Sequence, residues 1–125
     1  MGRPVVHFEI IGRDPAGLRA FYGELFGWGF ETREVAADEV SSPGQYGFVD
    51  AAVSGSGIYG GIGGGEGYEN LVLFYVGVPD VEAALARAEE LGGRRVLGPA
   101  GTPGQLVVGR FVDPEGHLVG VAGPA

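Results

Sequence analysis

LVLFYVGVPDVEAALARAEELGG, residues 71–93, reads as one strand, one cap and one helix in succession. Residues 71 to 77 are apolar and β-prone, as a buried strand requires. Asp80 then stands where a helix N-cap is expected. Val81, Ala84, Leu85, Ala88 and Leu91 recur at the helical period, and Gly92-Gly93 stops the helix. The same sentence occurs upstream. VVHFEII, residues 5–11, is a strand, Asp14 caps, and Pro15 takes the first helical position, where its missing N–H costs little. Leu18, Phe21, Tyr22, Leu25 and Phe26 form the apolar stripe, and Gly27 ends the helix. Val6 and Val72, Phe8 and Phe74, Asp14 and Asp80, Leu25 and Leu91, and Gly27 and Gly93 all repeat at one spacing of 66 positions. A constant spacing of this kind is an internal duplication.

Three short strand candidates follow each helix. In the first half they are about Gly29–Val35, Gln45–Val53 and Gly57–Ile62. In the second they are about Arg94–Leu97, Gln105–Val112 and Leu118–Ala122. Each half is therefore βαβββ. The fold class is α+β, with one domain of two repeats, about 4–63 and 70–123.

The 125 residues are 45% apolar, which supports a folded core. The net charge is −8 and every basic residue is Arg, so nucleic acid and anionic membrane surfaces are not expected partners. No apolar run reaches the roughly 20 residues that span a bilayer. With MGRPVVHFEI lacking the pattern of a signal peptide, a cytoplasmic protein is expected. The absence of Cys excludes disulfides, thiolate metal sites and a cysteine nucleophile. Glycine, 26 residues, implies short strands and close backbone approach. GIYGGIGGGEG, residues 57–67, is read as a glycine-rich edge strand and connection, not a phosphate loop, since no helix follows it.

VHFEI, FYGELFGW, GIYGGI, VPDVEAALARAEELGG and the closing RFVDPEGHLVGV together resemble the vicinal oxygen chelate superfamily, which includes glyoxalase I, bleomycin-resistance proteins and extradiol dioxygenases. The last two segments are the most specific. The resemblance implies that the modules curl into a cup-shaped mixed sheet around a ligand cavity, with helices on the convex face, and that chains pair as homodimers. It also implies four metal-ligand positions, one on the first and one on the last strand of each module. His7 is the only match. Leu73 replaces the second, Gly120 stands where the family has glutamate, and Gly60, Gly61 or Ile62 occupy the fourth. No cofactor is expected on these residues. A divalent Zn, Fe, Mn or Ni ion is the alternative that the family allows.

Side chains alternate along a strand. Val6, Phe8 and Ile10 are assigned to the face under the first helix, and His7 and Glu9 to the concave face. In the second half Val72, Phe74 and Val76 go under the helix, and Leu73 and Tyr75 face the cavity. A carboxylate beside an imidazole could contact a ligand, form an acid–base couple, or be structural. Tyr46 and Phe48, with Tyr59, Tyr75 and Trp28, could line an aromatic pocket for a flat organic molecule. Arg110 could pair with Glu115 or reach an anionic ligand, and a surface salt bridge is the expectation. The expected function is metal-independent binding of a small, aromatic organic ligand by His7, Glu9, Tyr46, Phe48 and Tyr75. The alternatives are a metal-dependent lyase or dioxygenase, and a metal-free isomerase or cyclase using His7 and Glu9.

Overall fold

The computed structural model describes residues 2–32, 37–49, 57–101 and 106–124. The elements run β1 (Val5–Gly12), α1 (Pro15–Phe26), β2 (Glu31–Thr32), β3 (Gly47–Val49), β4 (Tyr59–Gly64), β5 (Leu71–Gly77), α2 (Val81–Glu90), β6 (Arg94–Gly101), β7 (Leu106–Val112) and β8 (Leu118–Pro124). This is α+β, with the βαβββ order occurring twice. The expected strand segments at 33–35 and 50–53 lie outside the described residues.

The chain divides into two compact units, His7–Val72 and Met1–Val6 with Leu73–Ala125. In the first unit the strands lie in the order β2-β3-β4-β1. β1 and β4 are parallel, while β2 with β3 and β3 with β4 are antiparallel. The second unit repeats this as β5-β8-β7-β6. β5 and β8 are parallel, and β8 with β7 and β7 with β6 are antiparallel. In each unit the parallel pair joins the first strand to the last, and the antiparallel pairs join strands consecutive along the chain.

Both helices start as their sequences dictate. Asp14 accepts a hydrogen bond from the Gly17 N–H at 3.1 Å, and Asp80 accepts one from the Ala83 N–H at 3.0 Å. These bonds satisfy N–H groups that a helix start leaves without partners. Gly27 ends α1 in the left-handed conformation at φ 73°, which glycine adopts without strain.

The helices differ in what they bury. α2 packs on β6, β7 and β8. Val81, Leu85 and Val121 are fully buried there, with Val78, Ala84, Val107 and Phe111 around them. Burying a side chain such as Leu85 stabilises the fold by roughly 1.5–3 kcal/mol. This placement leaves the Val72 and Phe74 side of β5 exposed, and the assignment of these two residues to positions beneath a helix is overturned. They are 75% and 43% exposed. Leu91 is exposed as well, one turn past the contact.

α1 is apolar on more than one side, and only one wedge of it meets the sheet. Leu18 and Tyr22 are half-buried, whereas Phe21, Leu25 and Phe26 are 60%, 59% and 57% exposed. The expected stripe thus covers β1 only in part. Val6 is exposed, and Phe8 packs on Trp28 with ring centroids 5.2 Å apart.

β4 is an interior strand of its unit, flanked by β3 and β1, and not the expected edge strand. Its glycines explain how. A Cβ at Gly60 would collide with the Phe8 ring, and a Cβ at Gly61 with the Tyr46 ring. Aromatic rings lie flat on both faces of β4 where side chains would otherwise stand. The loss of side-chain packing in a glycine strand is offset by this cover.

Candidate functional site

The site of the first unit begins with the alternation of β1. His7, Glu9 and Ile11 share the face opposite Phe8. Across the parallel pair, Glu9 stands opposite Gly61, and across the antiparallel pair Phe48 also stands opposite Gly61. Tyr46, just before β3, lays its ring over Gly61 and Gly63 and so reaches β1. Its hydroxyl donates to Glu9 Oε1 at 2.8 Å, and His7 Nε2 lies 2.9 Å from the Tyr46 hydroxyl oxygen. Phe48 packs beside them, tilted to Tyr46 at a ring-centroid distance of 4.7 Å and edge-on to His7 at 6.2 Å.

Exposure sorts these residues. Glu9 and Tyr46 are 3% and 2% exposed, while His7 and Phe48 are half-buried. A buried carboxylate is costly unless hydrogen-bonded, and the Tyr46 hydroxyl meets that need. Burial holds the His7 imidazole below its ordinary pKa, because desolvation penalises the cation. The Glu9 carboxylate opposes this, more weakly. The neutral ring is therefore favoured. Arg19 anchors the loop that carries Tyr46 by donating to the Gln45 carbonyl at 2.6 Å.

The corresponding face of the second unit is built on different chemistry. Tyr75 stands opposite Gly120 on β8, and Arg110 on β7 also stands opposite Gly120. The Tyr75 ring fills the space of a Gly120 side chain. Arg110 Nε donates to the Tyr75 hydroxyl at 3.1 Å, and both residues are buried. The expected surface salt bridge of Arg110 is thus corrected. A guanidinium in the middle of LVVGRFV points to the face that the alternation sets, toward Tyr75. Leu73 is buried at 4% exposure.

Of the expected aromatic set, the structure brings Tyr46 and Phe48 to His7 and Glu9. Trp28 goes to the opposite face of β1, with Phe8, Tyr22 and Phe26. Tyr59 is exposed at the start of β4. His117 lies in the turn before β8, with Nδ1 3.0 Å from Asp113 Oδ2. The same carboxylate accepts the His117 and Glu115 N–H groups, and these bonds hold Asp113 below its ordinary pKa. This pair is a turn device. The role of Tyr46 as the link between His7 and Glu9 was not visible in the sequence. The glycines at 61 and 63 were the available signal, since they leave room for a ring.

The donor set does not fit a metal ion of the kind the superfamily implies. Leu73 has no donor atom. Gly61 and Gly120 have tyrosine rings where carboxylate side chains would need to stand. His7 Nε2 is engaged with Tyr46. Among the described residues there is no group of three or more His, Cys, Asp or Glu side chains that could hold a metal. A firm divalent site needs several such donors together.

Residues 7–122 match the family model of a glyoxalase-like domain. The chain is a member of this glyoxalase-like family, within the vicinal oxygen chelate superfamily. No curated protein sequence matches this glyoxalase-like chain. Its fold is similar to that of methylmalonyl-CoA epimerase from Mycobacterium tuberculosis, at 18% identity and TM-score 0.66, covering 97% of this chain and 87% of that one. A Streptomyces coelicolor methylmalonyl-CoA epimerase variant bound to 2-nitronate-propionyl-CoA gives 18% identity and TM-score 0.67, covering 100% and 99%. The Mn(II)-bound glyoxalase from Novosphingobium aromaticivorans gives 21% identity and TM-score 0.58, with 98% of this glyoxalase-like chain matching 40% of that one. At these identities the likeness is one of fold. No helix among the described residues is long and apolar enough to cross a membrane.

Proposed function

We propose that this glyoxalase-like protein binds a small organic ligand without a metal, with His7 and Phe48 as its contact residues. The observation that carries this reading is the replacement of donor positions by Leu73 and by glycines under tyrosine rings. What remains on the β1 face is a neutral imidazole beside an aromatic ring, which suits a flat, uncharged guest. Glu9, Tyr46 and, in the second unit, Tyr75 belong to the proposed binding set as buried supports. The protein works as one domain of two repeats, in the cytoplasm, as a homodimer. Exposed Phe21, Leu25 and Phe26 on α1 support the last point, since so large an apolar surface on one helix calls for cover.

The test is a thermal-shift titration with uncharged aromatic compounds, alongside metal analysis after incubation with Zn, Fe, Mn and Ni salts. Ligand at 100 times Kd stabilises a fold by about 2.7 kcal/mol, so true binders give a clear rise in Tm. Stabilisation lost in His7→Ala and Phe48→Ala, with metal below stoichiometry, supports the reading. One tightly held metal per chain overturns it. Sedimentation of Leu25→Glu tests the dimer, for which a monomer is expected.

A second reading is metal-free acid–base catalysis, favoured by the continuous His7–Tyr46–Glu9 chain. Turnover that survives both His7→Ala and Glu9→Gln would remove it.

A further inference from the structure

The second unit holds an open cavity of about 340 Å³ where the start of α2 meets the end of β6. Its walls are apolar. Val81 and Val107 come from the core beneath α2, and Pro99 and Pro124 add their rings. Val107 and Phe111 share the helix side of β7, and strand alternation puts Arg110 on the other side. The cavity therefore lies across the sheet from Tyr75 and Arg110.

Two features shape it. β6 shifts register against β7 between Arg95 and Leu97, and again between Leu97 and Ala100. Such irregularities re-aim side chains, and Pro99 lies within this stretch. Arg95 then braces the walls. Its Nη1 and Nη2 donate to Glu82 Oε1 and Oε2 at 2.9 and 2.6 Å, and Nη1 also donates to the Gly98 carbonyl at 3.2 Å. One guanidinium thus links the first turn of α2 to the strand beside Pro99. A cavity formed in advance costs a ligand little ordering.

The rim is acidic, with Asp80 and Glu82. Both Glu82 oxygens are engaged by Arg95. Asp80 is exposed, and its Oδ1 accepts the Ala83 N–H at 3.0 Å. A carboxylate offers about four lone-pair sites, so this cap bond leaves it able to accept another donor. A helix start favours anions, but here Asp80 and Glu82 already supply that charge, on a chain of net charge −8. An incoming anion is repelled and a cation attracted.

We propose that this cavity is a second ligand site, selective for small organic ammonium compounds. The apolar body packs on Val81, Val107, Pro99 and Pro124, and the ammonium group donates to Asp80. The site is independent of the His7 face. Small-molecule pockets run from roughly 300 to 1,000 Å³, so this one takes a single ring or a short chain. The walls supply affinity. The exposed carboxylate supplies a selectivity that solvent screening keeps modest.

Nuclear magnetic resonance titration of the 15N-labelled full chain tests this with benzylammonium, benzyl alcohol and benzoate, which share a ring and differ in charge. Benzylammonium is expected to move the Val81, Glu82 and Val107 amides saturably, with benzyl alcohol about fivefold weaker and benzoate weaker still. Asp80→Asn removes the charge and keeps an N-cap of equal quality. It is expected to bring benzylammonium and benzyl alcohol to equal affinity with the fold intact. Unmoved amides around the cavity, benzoate as tight as benzylammonium, or an ammonium preference that survives Asp80→Asn overturns the proposal. Shifts confined to His7 and Phe48 overturn it too, and leave the β1 face as the binding surface.

Discussion

Residues 7–72 and residues 73–124 are two statements of one backbone plan with opposite chemistry on the same face. In the first, β1 presents His7 and Glu9, and Tyr46 ties them together. In the second, β5 presents Leu73 and Tyr75, and Arg110 bonds the tyrosine. The strand registers match. Glu9 stands opposite Gly61 as Tyr75 stands opposite Gly120, and Phe48 and Arg110 take the same place on the adjoining strand. A duplication thus preserves strand pairing, which depends on the backbone, while single substitutions reassign the face. Both modules keep glycine on the last strand for one reason: a tyrosine ring needs the room. The helices differ in the same way. α2 buries Val81 and Leu85 of its apolar stripe; α1 is apolar around more of its circumference and leaves much of it exposed.

The helix contrast gives the largest expected effect. Leu85→Ala in α2 should cost about 3–4 kcal/mol, because the buried side chain leaves a cavity against Val81 and Val121. Phe21→Ala in α1, made in the monomeric Leu25→Glu background, should stay within about 0.5 kcal/mol, as expected at an exposed position. Urea unfolding of both variants measures this, and equal losses would erase the distinction between the helices.

The glycine parallel comes next. Gly120→Glu restores a family-type carboxylate, yet should destabilise by about 3 kcal/mol, since the new side chain overpacks against the Tyr75 ring. Gly61→Glu should do the same against Tyr46. Thermal melts with and without added metal read the outcome. Gly120→Glu that folds as well as the wild type would show that the ring is not an obstacle.

Tyrosine removal separates the two faces more finely. Tyr46→Phe takes a donor from a buried carboxylate and a partner from His7, and should cost about 1–2 kcal/mol. Denaturant titration with the m-value checked would measure it. Rescue by Tyr46→Phe combined with Glu9→Gln would identify the carboxylate as the group left in want.

The smallest effect concerns pH. The folded His7 pKa lies below the unfolded one, mainly from desolvation. The unfolded chain then binds more protons between the two values, so stability rises with pH there. The contribution is fully present above about 6.5, the unfolded value, and is lost as pH falls through the folded one. Melts at pH 8 and pH 5 should show a larger drop for wild type than for His7→Gln.

Much of this was legible in the residue pattern. The period-two alternation of VVHFEII placed His7 and Glu9 together and opposite Phe8, and the caps at Asp14 and Asp80 placed both helices. Three features were not. Val72 and Phe74 repeat Val6 and Phe8, but repetition assigns a face and not the element that covers it. Arg110 lies near Glu115 along the chain, while β7 pairing sends it to Tyr75. Tyr46 is 37 positions from Glu9, and no local rule links them.

Periodicity and capping are properties of neighbours along the chain, so the residues themselves determined the duplicated βαβββ order, the helix ends and the sidedness of β1. The His7–Tyr46–Glu9 chain, the Arg110–Tyr75 bond and the bare outer face of α1 were decided only in three dimensions. They depend on which distant strands come to lie side by side, and on the space that glycine leaves for a ring.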